Sequence, residues 1–292
     1  MRPLHLKRRT SRGAVALSAL ARISLTSADA EALAAFYEAA LGCRRLKLER
    51  CEGRGFEQLM GVQGGARAIT LALGEQCLEL LQFDQPGEAY PAGGSACDLS
   101  FQHFAILVTD MQAAFEHLAA TPGWTPISRE GPQRLPQTSG AVTAFKFRDP
   151  EGHPLELLAM PVRAASPAST PGLWCGIDHS AISVSDTMRS VAFYQGLGLR
   201  LSGNSYNHGI EQERLDDVSA PQVEVTALSP LHAKPHLELL CYRRPIPHSV
   251  PIGANNDVIA TRLVFQREDR DPAGVHASVH RIDPDGHHLI IA

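Results

Sequence analysis

Apolar and polar positions recur along this chain in one repeated order. The segment HSAISVSD, starting at His179, alternates like a strand and brings Asp186 to where a helix N-cap belongs. Val191, Phe193 and Tyr194 then fall on a helix predicted to stop near Gly196–Gly198. The segment RISLTSADAEALAAFYEAALG, starting at Arg22, has the same order. Asp29 falls on Asp186, Phe36-Tyr37 on Phe193-Tyr194, and Leu41-Gly42 on Leu197-Gly198 after a one-residue slip. Farther on, CLELLQF (77–83) matches HLELLCY (236–242), which sets Glu79 on Glu238. Each half contains the unit again: FQHFAILVTDMQAAFEHL (101–118) is strand, Asp cap and amphipathic helix, followed by FKFRDPEGHPLELLAMP (145–161). The final HRIDPDGHHLIIA copies that last element. DPEG and DPDG are turn sequences, because Pro presets φ and Gly permits positive φ, and each opens onto an apolar strand. The unit, a strand, a helix and then strands, occurs about four times.

The segment PVRAASPASTPG (161–172) is rich in Pro, Ala and Ser, lacks periodicity and reads as a linker. The expected organisation is a basic tail over 1–17, an N-terminal domain of two units over 18–160, a linker over 161–174, and a C-terminal domain of two units over 175–292. The 292-residue length, about two typical domains, agrees. Between VIATRLVFQ and GVHASVH too few residues remain for a full helix. The last unit is therefore expected to lack its helix and to expose part of its sheet unless a partner, such as a second copy in a homodimer, covers it.

Composition narrows the class. With 44% hydrophobic residues the chain can bury a sizeable core, and a net charge of −4 argues against nucleic acid as a partner. No apolar run approaches the roughly 18–20 residues that span a bilayer, so no membrane partner is expected. The basic start MRPLHLKRRTSRG precedes an apolar stretch interrupted by Arg22, which reads as a tail entering a first strand and not as an export signal. Six cysteines without a C-x-x-C pair read as reduced thiols in a cytoplasmic protein.

Three carboxylates interrupt apolar strands. By alternation, Glu79 shares a face with Cys77, Leu81 and Phe83; Glu238 with His236, Leu240 and Tyr242; Glu156 with Leu158. A lone buried carboxylate costs several kcal/mol, so each requires a cation, a metal, a raised pKa or an open cleft. His103 and His179 each begin a strand that leads to a capped helix. Imidazole and carboxylate on neighbouring strands suit a divalent Zn, Fe, Ni or Mn ion. Gln133 and Arg134 in GPQRLPQTSG, and Gln212 and Arg214 in NHGIEQERLD, lie in segments read as loops, natural contacts for a small-molecule substrate. His153 and His287, after the D-P-[DE]-G turns, are assigned to turn hydrogen bonding; His208, His236, His276, His280 and His288 are further candidates in the C-terminal half.

The repeated H-x-x-x-x-V-x-D-x-x-x-x-x-x-F-Y, with its later L-E-L strand and D-P-[DE]-G-H, resembles the vicinal oxygen chelate superfamily, from about residue 18 to 292. That superfamily includes glyoxalase I, bleomycin- and fosfomycin-resistance proteins, methylmalonyl-CoA epimerase and extradiol dioxygenases. The resemblance implies an α+β fold of four βαβββ modules paired into two open cupped sheets, the last module shortened. It implies a divalent metal held in a cup by the first and last strands of each module, and a substrate that chelates it through adjacent oxygens. Carried over by position, an N-terminal cup offers Arg22, Glu79, His103 and Glu156. A C-terminal cup offers His179 and Glu238, with the other two positions falling near Thr261 and on Ile290. Arg22 stands where His or Gln is usual; it stays protonated and cannot bind a metal, but it can pair with Glu79 or Glu156, or hold a substrate.

Three functions follow. One is a metal-dependent, glyoxalase-like lyase or isomerase stabilising an enediolate, with Glu79 or Glu156 moving the proton. Another is an extradiol dioxygenase, which the four-module layout favours and the missing carboxylate at Ile290 opposes. The third is a metal-free protein that binds a small ligand, akin to the bleomycin-resistance branch.

Overall fold

The computed structural model describes residues 17–161, 172–232, 234–248, 252–268 and 277–292. The first module comprises β1 (Leu17–Thr26), α1 (Ala30–Leu41), β2 (Arg44–Cys51), α2 (Arg54–Met60), β3 (Ala66–Leu73) and β4 (Gln76–Phe83). The second comprises β5 (Gln102–Val108), α3 (Met111–Ala119), β6 (Thr125–Pro126), β7 (Gln133–Arg134), β8 (Thr143–Arg148) and β9 (Pro154–Ala159). The third comprises β10 (Trp174–Ser183), α4 (Thr187–Gly196), β11 (Arg200–His208), α5 (Ile210–Asp216), β12 (Gln222–Ser229) and β13 (His236–Arg244). The fourth has β14 (Thr261–Arg267), β15 (Val279–Ile282) and β16 (His288–Ile291), with no helix among its described residues.

The three long helices start as the sequence indicates. Asp29, Asp110 and Asp186 each accept a backbone N–H from the residue three positions on, at 3.0–3.1 Å. The two turn motifs also match. Asp149 accepts from Tyr37 Oη at 2.9 Å and contacts His153 Nδ1 at 2.8 Å, while Asp283 accepts from Tyr194 Oη at 3.0 Å. His153 Nε2 reaches the carbonyls of Thr26 and Val258, and His287 Nε2 that of Ser183, so both histidines belong to these turns.

Module pairing differs from the expected division into two consecutive domains. One seven-stranded sheet runs β15-β16-β14-β1-β4-β3-β2, joining the first module to the fourth. A nine-stranded sheet contains β11-β12-β13-β10-β5-β9-β8-β6 in order, joining the second to the third. The chain passes from one sheet to the other between β4 and β5 and returns between β13 and β14. Strand pairing is set by edge and register, which sequence order does not specify. The 1–16 segment of the expected tail and residues 162–171 of the expected linker lie outside the described residues.

Alternation then sorts each strand. Leu78 and Leu80, Phe104 and Ile106, Leu155 and Leu157, and Leu237 and Leu239 enter one core with α1, α3 and α4. Their neighbours face the hollow of each sheet. The fourth module exposes less than expected: Leu263, Phe265, Leu289 and Ile291 are buried in that core, and only the edge strand β15 shows apolar side chains, Val279 and Ile282.

Candidate metal centre

The re-pairing collects four donors in the nine-stranded sheet. Cross-strand register puts Glu238 beside Ala181 and Ala181 beside His103. The next row runs His236, His179, Ala105, Glu156 and Lys146 across β13, β10, β5, β9 and β8. The two alanines leave the centre of these rows open. His103, Glu156, His179 and Glu238 all line one cavity of about 240 Å³.

Within it, His103 Nε2 lies 3.0 Å from Glu156 Oε2. His179 Nε2 lies 3.6 Å from Glu156 Oε2 and 3.6 Å from Glu238 Oε2. His103, Glu156 and His179 offer three ligand atoms all within 4.8 Å of one another. Ligands at about 2.1 Å from a divalent ion stand roughly 3.0–3.5 Å apart, so this donor set fits such an ion.

A bulge supplies the outer support. Between Ile177 and His179, β10 advances two residues while β5 advances one, so Asp178 is the extra residue. Asp178 and His179 consequently both face the cavity. His179 Nδ1 donates to Asp178 Oδ2 at 3.2 Å, and Lys234 Nζ donates to Asp178 Oδ1 at 2.6 Å. This fixes the ring so that Nε2 points at the two glutamates, the orientation a ligating histidine needs. His103 has no such anchor: its buried Nδ1 is unpartnered, and its ring rests against Phe101.

Charges are balanced pairwise. Burial opposes charging of His179, but Glu238, Asp178 and Glu156 outweigh it and raise its pKa well above the ordinary value. Burial together with Lys146 lowers that of His103. Glu156 is held well below the carboxylate range against burial by His103, His179 and Lys146. Behind the row, buried Lys146 Nζ donates to Asp216 Oδ1 at 2.7 Å. Asp216 Oδ2 also accepts from Gln212 Nε2 at 2.6 Å and Tyr242 Oη at 2.7 Å.

The sequence-predicted residues separate accordingly. His103, Glu156, His179 and Glu238 converge, with Gln212 on the wall and His236 Nε2 3.3 Å from Glu238 Oε1. Glu79 lies in the other sheet, ion-paired with Arg22 at 3.1 Å, and is therefore corrected from its place beside Glu156. Gln133 is tied by its Nε2 to the carbonyls of Arg129 and Gly131. Arg214 pairs with Glu130 at 3.0 Å, and neither it nor the exposed Arg134 lines the cavity. The segment holding Gln212 is helical and not a loop, because Gly209, with φ 94°, turns the chain into α5. His280 and His288 contact each other at 2.9 Å in the other sheet, His208 lies away from the cavity, and His276 falls outside the described residues.

Lys146, Asp178, Asp216 and Tyr242 were missed as site residues. Lys146 could have been found: in FKFR it takes the face opposite Phe145 and Phe147, which are core. Asp178 could not, because strict alternation puts it opposite His179 and only the bulge brings it round.

Residues 19–157 match the Glyoxalase/Bleomycin resistance protein/Dioxygenase superfamily. No curated protein sequence matches the chain. Among solved structures, glyoxalase I from Zea mays is similar at 16% identity and TM-score 0.57, over 94% of this chain and 91% of that one. A point mutant of that maize enzyme aligns at 15% identity and TM-score 0.59, over 94% and 91%. A putative dioxygenase from Bacillus subtilis aligns at 13% identity and TM-score 0.56, over 95% and 86%. At these identities the likeness is one of fold, and it extends over both sheets. The first half of the chain thus resembles the glyoxalase/bleomycin resistance protein/dioxygenase superfamily, and the chain as a whole shares the fold of these solved structures.

Proposed function

We propose that this chain is a divalent-metal-dependent lyase or isomerase of glyoxalase-like type, acting on a small substrate with adjacent oxygens. The observation that carries this reading is the convergence of His103, Glu156, His179 and Glu238 from four adjacent strands into one hollow. His179, steered by Asp178, and Glu156, wedged between two histidines, would hold the ion together with His103 and Glu238. When bound, the ion supplies Lewis acidity to the oxygens of the substrate.

The remaining work belongs to the chain. Glu79 or Glu156 is the glutamate expected from the sequence to move the proton, and of these Glu156 alone lines this hollow. Its position makes it more fixed than Glu238, because it faces both histidines and stands opposite Lys146. Glu238 has 22% of its side chain exposed, and its ion-pair partners among the described residues are His179 and His236, so it is the better-placed group to take a proton from a carbon next to a carbonyl. The apolar walls at Leu135, Val142, Leu158 and Leu240 exclude water around that proton.

A second reading has its own support. His103, His179 and Glu156 form a two-histidine, one-carboxylate set of the kind used by ferrous dioxygenases. The objection from Ile290 falls away, because Ile290 lies in the other sheet. Elemental analysis of purified protein decides. The expected result is about one Zn, Ni, Mn or Fe per chain, lost in the His179→Ala, Glu238→Ala double variant. Absence of metal and of any affinity for it sinks both readings, leaving metal-free ligand binding. Iron with catechol-dependent oxygen uptake selects the dioxygenase.

A further inference from the structure

The wall of the same hollow carries polar atoms that the metal reading does not use. Gln212 is buried, and its Oε1 has no hydrogen-bond partner among the described residues. Which end of this amide is oxygen follows from chemistry. The other end lies 2.6 Å from Asp216 Oδ2, a carboxylate oxygen that can only accept from N–H. Asp216 is itself pinned by Lys146 and Tyr242, so the amide cannot turn over without placing oxygen against oxygen. Gln212 therefore holds a fixed, unsatisfied acceptor, enclosed from solvent, in a side chain that lines the cavity. Asn207, also buried and also lining the cavity, has its own Oδ1 unpartnered. Buried acceptors of this kind cost free energy unless a donor arrives.

The cation census limits what that donor belongs to. Apart from histidines, Lys146 is the one cationic residue among the described residues lining the cavity, and Asp216 holds it. No unpaired lysine or arginine among those residues is available for a carboxylate or phosphate of a large conjugate.

We propose that Gln212 is a specificity-determining residue. It accepts a hydrogen bond from a hydroxyl or N–H that a small, uncharged substrate carries beside its pair of adjacent oxygens. Asn207 flanks it, and Lys146, Asp216 and Tyr242 are positioning residues that set the amide's orientation. The inference rests on the metal reading only for where the adjacent oxygens sit.

The test is calorimetric binding of pyrogallol and of 3-methoxycatechol to protein incubated with zinc, whose stoichiometry is read separately by elemental analysis. Both probes carry the adjacent oxygen pair; only pyrogallol offers a third donor, and the methoxy group cannot donate. The parent is expected to prefer pyrogallol by about tenfold, the size expected for a buried acceptor left unpaired. Gln212→Met, which keeps length but removes the acceptor, is expected to bring the ratio to about one while keeping the parent's zinc content. Equal binding of the two probes by the parent, or an unchanged ratio in Gln212→Met, overturns the role of Gln212. Failure of the parent to bind either probe overturns the substrate class. Absence of zinc from the parent sinks the metal reading alone, since the ratio on that same protein still judges Gln212.

Discussion

The two sheets place different residues at matching register positions. In the nine-stranded sheet one row holds Glu238, Ala181 and His103; in the seven-stranded sheet it holds Glu79, Ser24 and Arg262. The second row reads His236, His179, Ala105, Glu156 and Lys146 in one hollow, and Cys77, Arg22, Val264, Ile290 and His280 in the other. Arg262, next to Thr261, thus occupies the position of His103. The short helices differ in the same sense. In α5, Gln212 lines the hollow and Asp216 holds Lys146 behind it, whereas the corresponding α2 contributes Phe56 and Met60 to an apolar cluster with Val264 and Ile290. One hollow gathers histidines and carboxylates around open space; in the other, arginines supply the positive charge and α2 packs apolar side chains against Val264 and Ile290. Arg22 satisfies Glu79, and Arg262, completely buried, donates to Ser24 Oγ, Thr26 Oγ1 and the Asn255 carbonyl. The lesson is that one scaffold tolerates acidic residues in apolar strands by either route, provided a cation meets them.

The comparison can be broken most directly at the glutamates. Glu156→Ala is expected to weaken divalent-metal affinity by about 100-fold or more, while Glu79→Ala leaves it unchanged, both read by competition titration with a chelating dye. Equal effects would mean the two hollows are not functionally distinct. Next in size is Arg262→Met. It removes three buried hydrogen bonds, to Ser24 Oγ, Thr26 Oγ1 and the Asn255 carbonyl, and is expected to cost about 3 kcal/mol in urea unfolding, with metal content intact. Asp178→Asn follows, with roughly 10-fold weaker metal binding and little change in melting temperature, because it loosens His179 without removing a ligand.

The smallest effect concerns pH and the arginine-bearing hollow. Burial, Arg262 and His280 depress the pKa of His288 to about 4. The folded state therefore keeps His288 neutral while the unfolded chain takes up a proton below about 6.5. Its contribution is fully present above that pH and is lost as pH falls towards 4. By about pH 5.5 the loss is of order 1 kcal/mol, so His288→Gln should flatten the fall in melting temperature on acidification. A variant as acid-sensitive as the parent would show that His288 is not the group responsible.

Much of this was legible in the residues. Asp29, Asp110 and Asp186 announced the helices, and the F-Y pairs and D-P-[DE]-G-H turns marked units that do bond to one another through Tyr37 with Asp149 and Tyr194 with Asp283. The face-sharing of His236, Glu238, Leu240 and Tyr242 was also correct, since all four line the cavity. The grouping of His103 and Glu156 with Arg22 was not, because adjacent units were taken to share a sheet. Asp178 was hidden by a bulge that breaks the two-residue period on which face assignments rest.

Periodicity and local turn chemistry act over a few residues, so the sequence alone determined the four units, their helix starts and which strand faces are mixed polar and apolar. Which unit pairs with which is decided by edges and connections far apart in the chain. Only the tertiary structure could therefore bring His103 and Glu156 up to His179 and Glu238, and leave Glu79 to Arg22 in the opposite hollow.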